Sequence, residues 1–302
     1  MRKEIEFQGE GYYLTCCEEA TGLVVTACGG SAPVVQVPVQ VEGKPVTGIG
    51  KKAFLSRKNI RELVLPATIE SIGDWAFAYC GKLERVVLSG SVMEIGRLVF
   101  TNCGMLQRVD CLEIIGLHNW SEDVSFLLAA AVKDLEAYYL LEPAAAGNEE
   151  WLAMWDARLL AVMEEDDYEG YQKQVLCGEE DYGSTDLDAF LAEKRKKKVR
   201  LSMLRLRYAQ GLQDAFRDYL TAYLCAHTKG GQSEETWQVL LQECAYDRAS
   251  WELFLEIGCA DKGNMESMLT DMGEEQAEMK AYFLRYKAEQ LGYEDFFGGL
   301  EL

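Results

Sequence analysis

Three groups of side chains in this 302-residue sequence have types and spacings from which sites are built. The first is cysteine. Cys80 and Cys103 stand 23 residues apart, and in a stacked repeat they would be neighbours able to share a metal or exchange electrons. Zinc asks for four ligands, and the chain has only two histidines. The expectation is therefore a small apolar side chain at a tight corner, with Arg57 in the same place one repeat earlier. Cys16 and Cys17 are adjacent, and on a strand they point to opposite faces, which argues against a shared ligand. The second group is the two histidines, His118 and His227, one of which any Ser–His–Asp or Cys–His site would have to use. Neither lies in a recognisable signature, and no G-x-S-x-G turn occurs. The third group is runs of like charge. Glu164–Asp167 and Glu179-Glu180-Asp181 lack the alternating ligands, bend glycine and distal glutamate of a calcium loop, so they read as solvated turns. A pocket at Glu179, Glu180 and Asp181 is where an enzyme or regulator site would sit, an alternative to the main reading. Gly178–Ser184 around it is compositionally odd for a loop. Lys194-Arg195-Lys196-Lys197-Lys198, with Arg200, Arg205 and Arg207, is the one basic patch. Nucleic-acid binding through this stretch, 194–207, is the second alternative, since such a helix could hold phosphates in a salt-dependent way.

These residues are positioned by two unlike halves. From Val46 to Cys111 the sequence repeats. Ile49-Gly50, Ile72-Gly73 and Ile95-Gly96 recur every 23 residues, as do Phe54, Phe77 and Phe100, then Leu63, Val86 and Val109. A fixed period of this size marks a solenoid, whose units bury their apolar faces by stacking. Within each unit the spacing L-x-x-V-x-L predicts a short strand with Leu63 and Leu65 inward and Glu62 and Val64 outward. The glycines are expected to allow a sharp turn, and the phenylalanines to stack into a spine. Before the repeats, 12–15 and 23–26 read as a hairpin, and Val34–Val41 as an extended edge piece interrupted by Pro38. This region is expected to cap the first coil.

The pattern I-G-x-x-A-F-x-x-C-x-x-L-x-x-V-x-L, with Gly43–Gly50 leading into it, resembles the BspA-like leucine-rich repeat of bacteria, over residues 10–112. The resemblance implies a curved right-handed solenoid with a parallel sheet on its concave side, and in many members protein or host-surface binding. The side chains facing out of that sheet form the candidate binding face: Arg61, Glu62 and Val64, then Glu84, Arg85 and Val87, then Gln107, Arg108 and Asp110.

After Ser121 the periodicity becomes helical. Ser121 is an N-cap candidate for a helix to about Leu141, stopped by Pro143, and Asn148 for one over Glu149–Met163. Tyr168–Leu176 is a shorter helix. Thr185–Asp188 fits a capping box opening a long helix to about Ala209. Shorter helices then follow to Leu291, separated by glycines, as in antiparallel helical hairpins. Charge divides at the same place. Residues 1–111 carry 12 basic and 12 acidic side chains, and the remainder carries 18 and 38, the whole of the −20 net charge. Such a domain repels polyanions, so pairing of the basic patch within its own acidic domain, and no nucleic-acid partner, is the expectation. No stretch is apolar enough to span a membrane. Met1–Glu6 has no apolar run behind its basic pair, and ten cysteines include no C-x-x-C. Both point to reduced thiols in a bacterial cytoplasm. The sequence thus reads as an α+β chain of two domains, 1–115 a leucine-rich-repeat domain and 116–302 an acidic all-helical one. It reads as non-enzymatic and without cofactor or metal, serving protein–protein interaction with a partner it does not name.

Overall fold

The computed structural model describes residues 4–89, 92, 94–112, 122–142, 145–171 and 186–292, in two compact units, Met1–Val162 and Met163–Leu302. His118, Trp120, Ser121 and Glu179–Ser184 lie outside the described residues, as do the end of the 168–176 segment and Thr185.

In the first unit the strands are, in order, β1 (Glu4–Gln8), β2 (Tyr12–Glu18), β3 (Leu23–Gly30), β4 (Val34–Gln36), β5 (Gln40–Val41), β6 (Lys44–Ile49), β7 (Glu62–Val64), β8 (Ser71–Ile72), β9 (Arg85–Ser89), β10 (Glu94–Ile95) and β11 (Arg108–Leu112). They form two sheets. One runs β1-β2-β3-β6-β8-β10, antiparallel as far as β3 and parallel beyond, with β5 folded back on β6. The other, β11-β9-β7-β4, is parallel throughout. Each coil gives one strand to each sheet, so β3 with β4 makes a coil as truly as β6 with β7, β8 with β9 and β10 with β11. The solenoid therefore has four coils, one more than the 23-residue repeat reveals. The first escapes the period because Val34 pairs with Glu62, whereas Glu62 pairs with Arg85. The β5–β6 hairpin lengthens that step. What reads in sequence as a separate cap is a cover of β1 and β2 on a coil already begun.

Inward residues close the coils. Val35, Leu63, Val86 and Val109 lie in register and are all but inaccessible. The rings of Phe54, Phe77 and Phe100 stack with centroids 5.5 and 5.4 Å apart, the expected spine. The repeat glycines serve a different purpose from the one expected. Gly73 and Gly96 have no left-handed backbone; a Cβ there would lie 2.5 Å from the Lys51 nitrogen and 2.4 Å from the Asp74 nitrogen. Close approach of successive coils, not turn geometry, demands glycine. The left-handed turns fall instead on Lys52, Trp75 and Leu98, and on Ser56, Tyr79 and Asn102, at φ of 54–61°.

Past the last strand come α1 (Glu122–Lys133), a 3-10 turn at Tyr138–Leu140, and α2 (Glu149–Glu164). α1 stops eight residues short of the expected Leu141. The chain turns through Glu136 at φ 53°, and Ala137 donates its amide back to the Ala131 carbonyl. That turn aims Tyr138 at the fourth coil, where its hydroxyl bonds Thr101 and the Phe100 backbone. Asn148 caps α2 as expected, its Oδ1 accepting from the Trp151 amide at 2.8 Å. Trp151 and Trp155 are fully buried and donate to the carbonyls of Leu140 and Leu127.

The second unit holds α3 (Leu187–Arg207), α4 (Asp214–Ala226), α5 (Glu235–Glu243), α6 (Arg248–Glu256), α7 (Met265–Asp271) and α8 (Ala277–Tyr286). α3 ends two residues before the expected Ala209, the shorter helices follow in order as expected, and α8 is flanked by a 3-10 turn and a π turn. Asp186 caps α3, its carboxylate accepting from the amides of Asp188 and Ala189. Trp237, Trp251, Phe254 and Phe283 form the core, with centroids 5.5–6.2 Å apart.

Candidate protein-binding surface

The four-stranded parallel sheet presents two rows of outward side chains. One is Val34, Glu62, Arg85 and Arg108; the other is Gln36, Val64, Val87 and Asp110. Period 2 along each strand and strict register between strands place them there. Val34 and Gln36 join the face only because β4 does, and their 28-residue offset hid them from the repeat count.

The first row is laced by charge. Arg85 donates from Nη1 to Glu62 at 2.9 Å and from Nε to Asp110 at 2.5 Å. Arg108 donates to the other Asp110 oxygen at 3.1 Å. Burial works to raise the Asp110 pKa, but hydrogen bonds from Ser125, Arg85 and Arg108 prevail and hold it below the ordinary carboxylate value. The bond to Asp110 likewise raises the Arg85 pKa. Ser125 belongs to α1, and the neighbouring Phe126 ring lies 5.4 Å under the Arg108 guanidinium. Helix α1 thus occupies the β11 end of the face, and no signal in the sequence marks Ser125 or Phe126 for that place.

The expected apolar patch is smaller than Val64 plus Val87. Val87 is 5% exposed, and Val64 is half-buried. Arg61 and Gln107 are exposed just outside the strands, with Arg61 reaching Glu84 at 3.2 Å. At the opposite end Val34 is 44% exposed and Gln36 is open to solvent. The accessible surface is therefore the β4–β7–β9 side, neutral at Val34 and Gln36 and charged at Arg61, Glu62, Glu84 and Arg85.

The remaining candidates within the described residues are engaged in the fold. Cys80 and Cys103 are buried and donate to the carbonyls of Phe54 and Phe77, both at 3.1 Å, one bond per coil. Burial pushes their thiols up to about 11 and about 12. Cys16 and Cys17 are also buried. Among the described residues no group of three or more His, Cys, Asp or Glu could hold a metal. His227 Nδ1 lies 2.6 Å from Ser233 Oγ, but that hydroxyl donates to Glu235. The order differs from a hydrolase triad, in which the serine gives its proton to the histidine and the carboxylate orients the ring. Burial lowers the His227 pKa.

Seven of the eight basic side chains of this stretch of α3, all but Lys197, are engaged within their own unit. Lys194 pairs with Glu165, Arg195 with Asp167 and Glu235, Lys198 with Asp167, Arg200 with Glu193 and Glu243, and Arg207 with Asp247. Lys196 donates to Gln242. Arg205 is fully buried and donates to the Tyr208 and Gln210 carbonyls past the helix end. Pairing within the acidic domain was the expectation.

Residues 42–121 match the family model for a BspA type leucine rich repeat region of six copies. Among solved structures, the T. pallidum leucine rich repeat protein TpLRR is 31% identical over 30% of this chain and 42% of its own, with a TM-score of 0.29. A leucine rich cell surface protein from Faecalibacterium prausnitzii is 24% identical over 36% of this chain and 30% of its own, with a TM-score of 0.30. A leucine-rich repeat protein from Bacteroides capillosus is 23% identical over 36% of this chain and 99% of its own, with a TM-score of 0.27. The chain spans less than half the length of the first two. No curated protein matches it. Leucine-rich repeats generally mediate protein–protein interaction, and among the described residues no helix is long and apolar enough to cross a membrane. The repeated 23-residue unit, the two-sheet coil and the family match over residues 42–121 agree: the described coils are a BspA-type leucine-rich-repeat solenoid, with helices following in the chain.

Proposed function

We propose that this chain is a non-catalytic module that binds a protein through the concave sheet. The carrying observation is the open side of the sheet, with Val34 and Gln36 of β4 exposed and Glu62, Val64 and Arg85 partly so, while α1 takes up the β11 end. The contact residues are Arg61, Glu62, Val64, Glu84, Arg85 and Gln107, with Val34 and Gln36 added by the fourth strand. Val87, Arg108 and Asp110 hold the face in shape. Four strands about 4.8 Å apart span only about 15 Å. A stable interface needs about 800 Å² per partner, so the partner continues past the β4 edge.

The test uses the whole protein as bait in extract from its native cells, with two variants beside it. Val34→Asp with Arg61→Glu alters the concave face; Tyr79→Glu alters an exposed position away from it. Proteins retained by wild type and Tyr79→Glu but lost by the double variant support the reading. Retention by all three, or loss only with Tyr79→Glu, overturns it. The pairing of the α3 cations supports a chain that does not bind nucleic acid. The buried thiols suit a reducing cytoplasm; location at the cell surface, as named for the F. prausnitzii protein, is the rival placement.

A further inference from the structure

Two cysteines unremarked in the sequence meet in the second unit. Cys225, in the last turn of α4, lies with its sulfur 3.0 Å from that of Cys259, just beyond α6. About 1 Å of approach separates this contact from a disulfide bond of about 2.05 Å. The meeting is built by its surroundings. Gly258, at φ 79°, turns the chain after α6, and the Cys259 amide donates back to the Phe254 carbonyl. Asn264, 9% exposed, donates to both the Cys259 and Lys229 carbonyls, tying the turn to the segment that follows α4.

The two thiols are unequal. Cys225 is half-buried and reachable, while Cys259 is 2% exposed. Hydrogen bonding from the Cys259 thiol lowers the Cys225 pKa, and the same bond with burial raises that of Cys259. An accessible thiol of lowered pKa, 3.0 Å from a buried thiol of raised pKa, is the arrangement of an attacking and a resolving cysteine. Cys225 Sγ also has the Ile257 carbonyl within 3.5 Å, a longer contact than the 3.1 Å at which Cys80 and Cys103 donate to theirs.

We propose that Cys225 and Cys259 are a reversible dithiol–disulfide pair that takes a low-molecular-weight disulfide of the glutathione class as oxidant. The Cys225 thiolate attacks one sulfur of the oxidant, whose S–S bond breaks, and one small thiolate leaves to be protonated. The Cys259 sulfur, giving up its proton, then attacks Cys225 Sγ in the mixed disulfide and expels the second small thiol. The protein loses two electrons, the oxidant gains them, and the two thiol protons end on the two small thiols. The product staples α4 to the turn after α6 and closes a loop around α5 and α6.

The experiment treats the reduced full chain with oxidised glutathione and reads intact mass, a non-reducing peptide map and thermal unfolding. Expected are a single Cys225–Cys259 linked peptide, reversal by dithiothreitol, and a rise in Tm of about 5–10 °C for the oxidised protein. Cys259→Ser should instead accumulate one glutathione on Cys225, and Cys225→Ser should form neither the link nor that adduct. Persistence of both thiols under these conditions, linkage to a different cysteine, or a Cys259→Ser protein without the Cys225 adduct would each overturn the proposal.

Discussion

At the scale of single residues, packing and charge make separable claims. Phe77 is sandwiched between Phe54 and Phe100 and fully buried, so Phe77→Ala should cost about 3–5 kcal/mol, measured by denaturant melts. A loss below about 1 kcal/mol would remove the spine from the core. Asp110 gives a pH-dependent claim. Its pKa is lower folded than unfolded, so its contribution is complete above the ordinary carboxylate range and is lost as pH falls below about 4, through the folded value. Asp110→Asn should lower stability at neutral pH by about 1 kcal/mol and flatten the acid limb of the stability curve. A variant whose acid limb matches wild type would show that Asp110 carries no such linkage. Which residues face outward was legible from period 2. Which of them are already engaged was not, because Ser125 and Phe126 reach Asp110 and Arg108 from a helix in another period, and register across such a break leaves no mark in sequence.

Among the elements, the repeat units were legible because a solenoid makes every coil solve the same packing problem with the same residues. The first coil was not, since the β5–β6 hairpin shifts its phase. Nor were the turns: the glycines drew attention, yet the left-handed positions are Lys52, Trp75, Leu98, Ser56, Tyr79 and Asn102. A non-glycine residue held there is strained by about 1 kcal/mol or more. Tyr79 is half exposed, so little packing is lost on truncating it. Tyr79→Gly should therefore be more stable than Tyr79→Ala by about 1 kcal/mol in paired melts. Equal stability, or alanine ahead, would refute the strain. The helices of the second unit were legible to within a turn from their caps and glycines. Their tertiary meeting points, Cys225 with Cys259 above all, lie 34 residues apart with no motif to announce them.

For the whole molecule, two tests follow. A fragment ending at Cys111 exposes the fourth coil and should aggregate or bind a hydrophobic dye, while one ending at Val162 keeps α1 and Tyr138 against it, with the α2 tryptophans bonded to Leu127 of α1 and Leu140, and should stay soluble. Equal behaviour of the two fragments would mean that these helices do not close the solenoid. Mobility-shift assays with DNA or RNA at micromolar protein and near-physiological salt should show no complex, because acids outnumber bases 38 to 18 beyond residue 111 and most of the α3 cations are paired with acids of their own unit. A shift abolished by charge reversal at Lys196–Lys198 would reverse that conclusion. The unbroken register from β7 through β9 to β11 also bears on inheritance. An in-frame duplication or loss of one 23-residue unit within this run would keep the inward residues, the spine and the close-approach glycine in phase. The β4 side, with its longer step, has no such freedom. Lineages can therefore lengthen or shorten this surface in whole coils of about 4.8 Å, from one end of the run only, without rewriting any residue that remains.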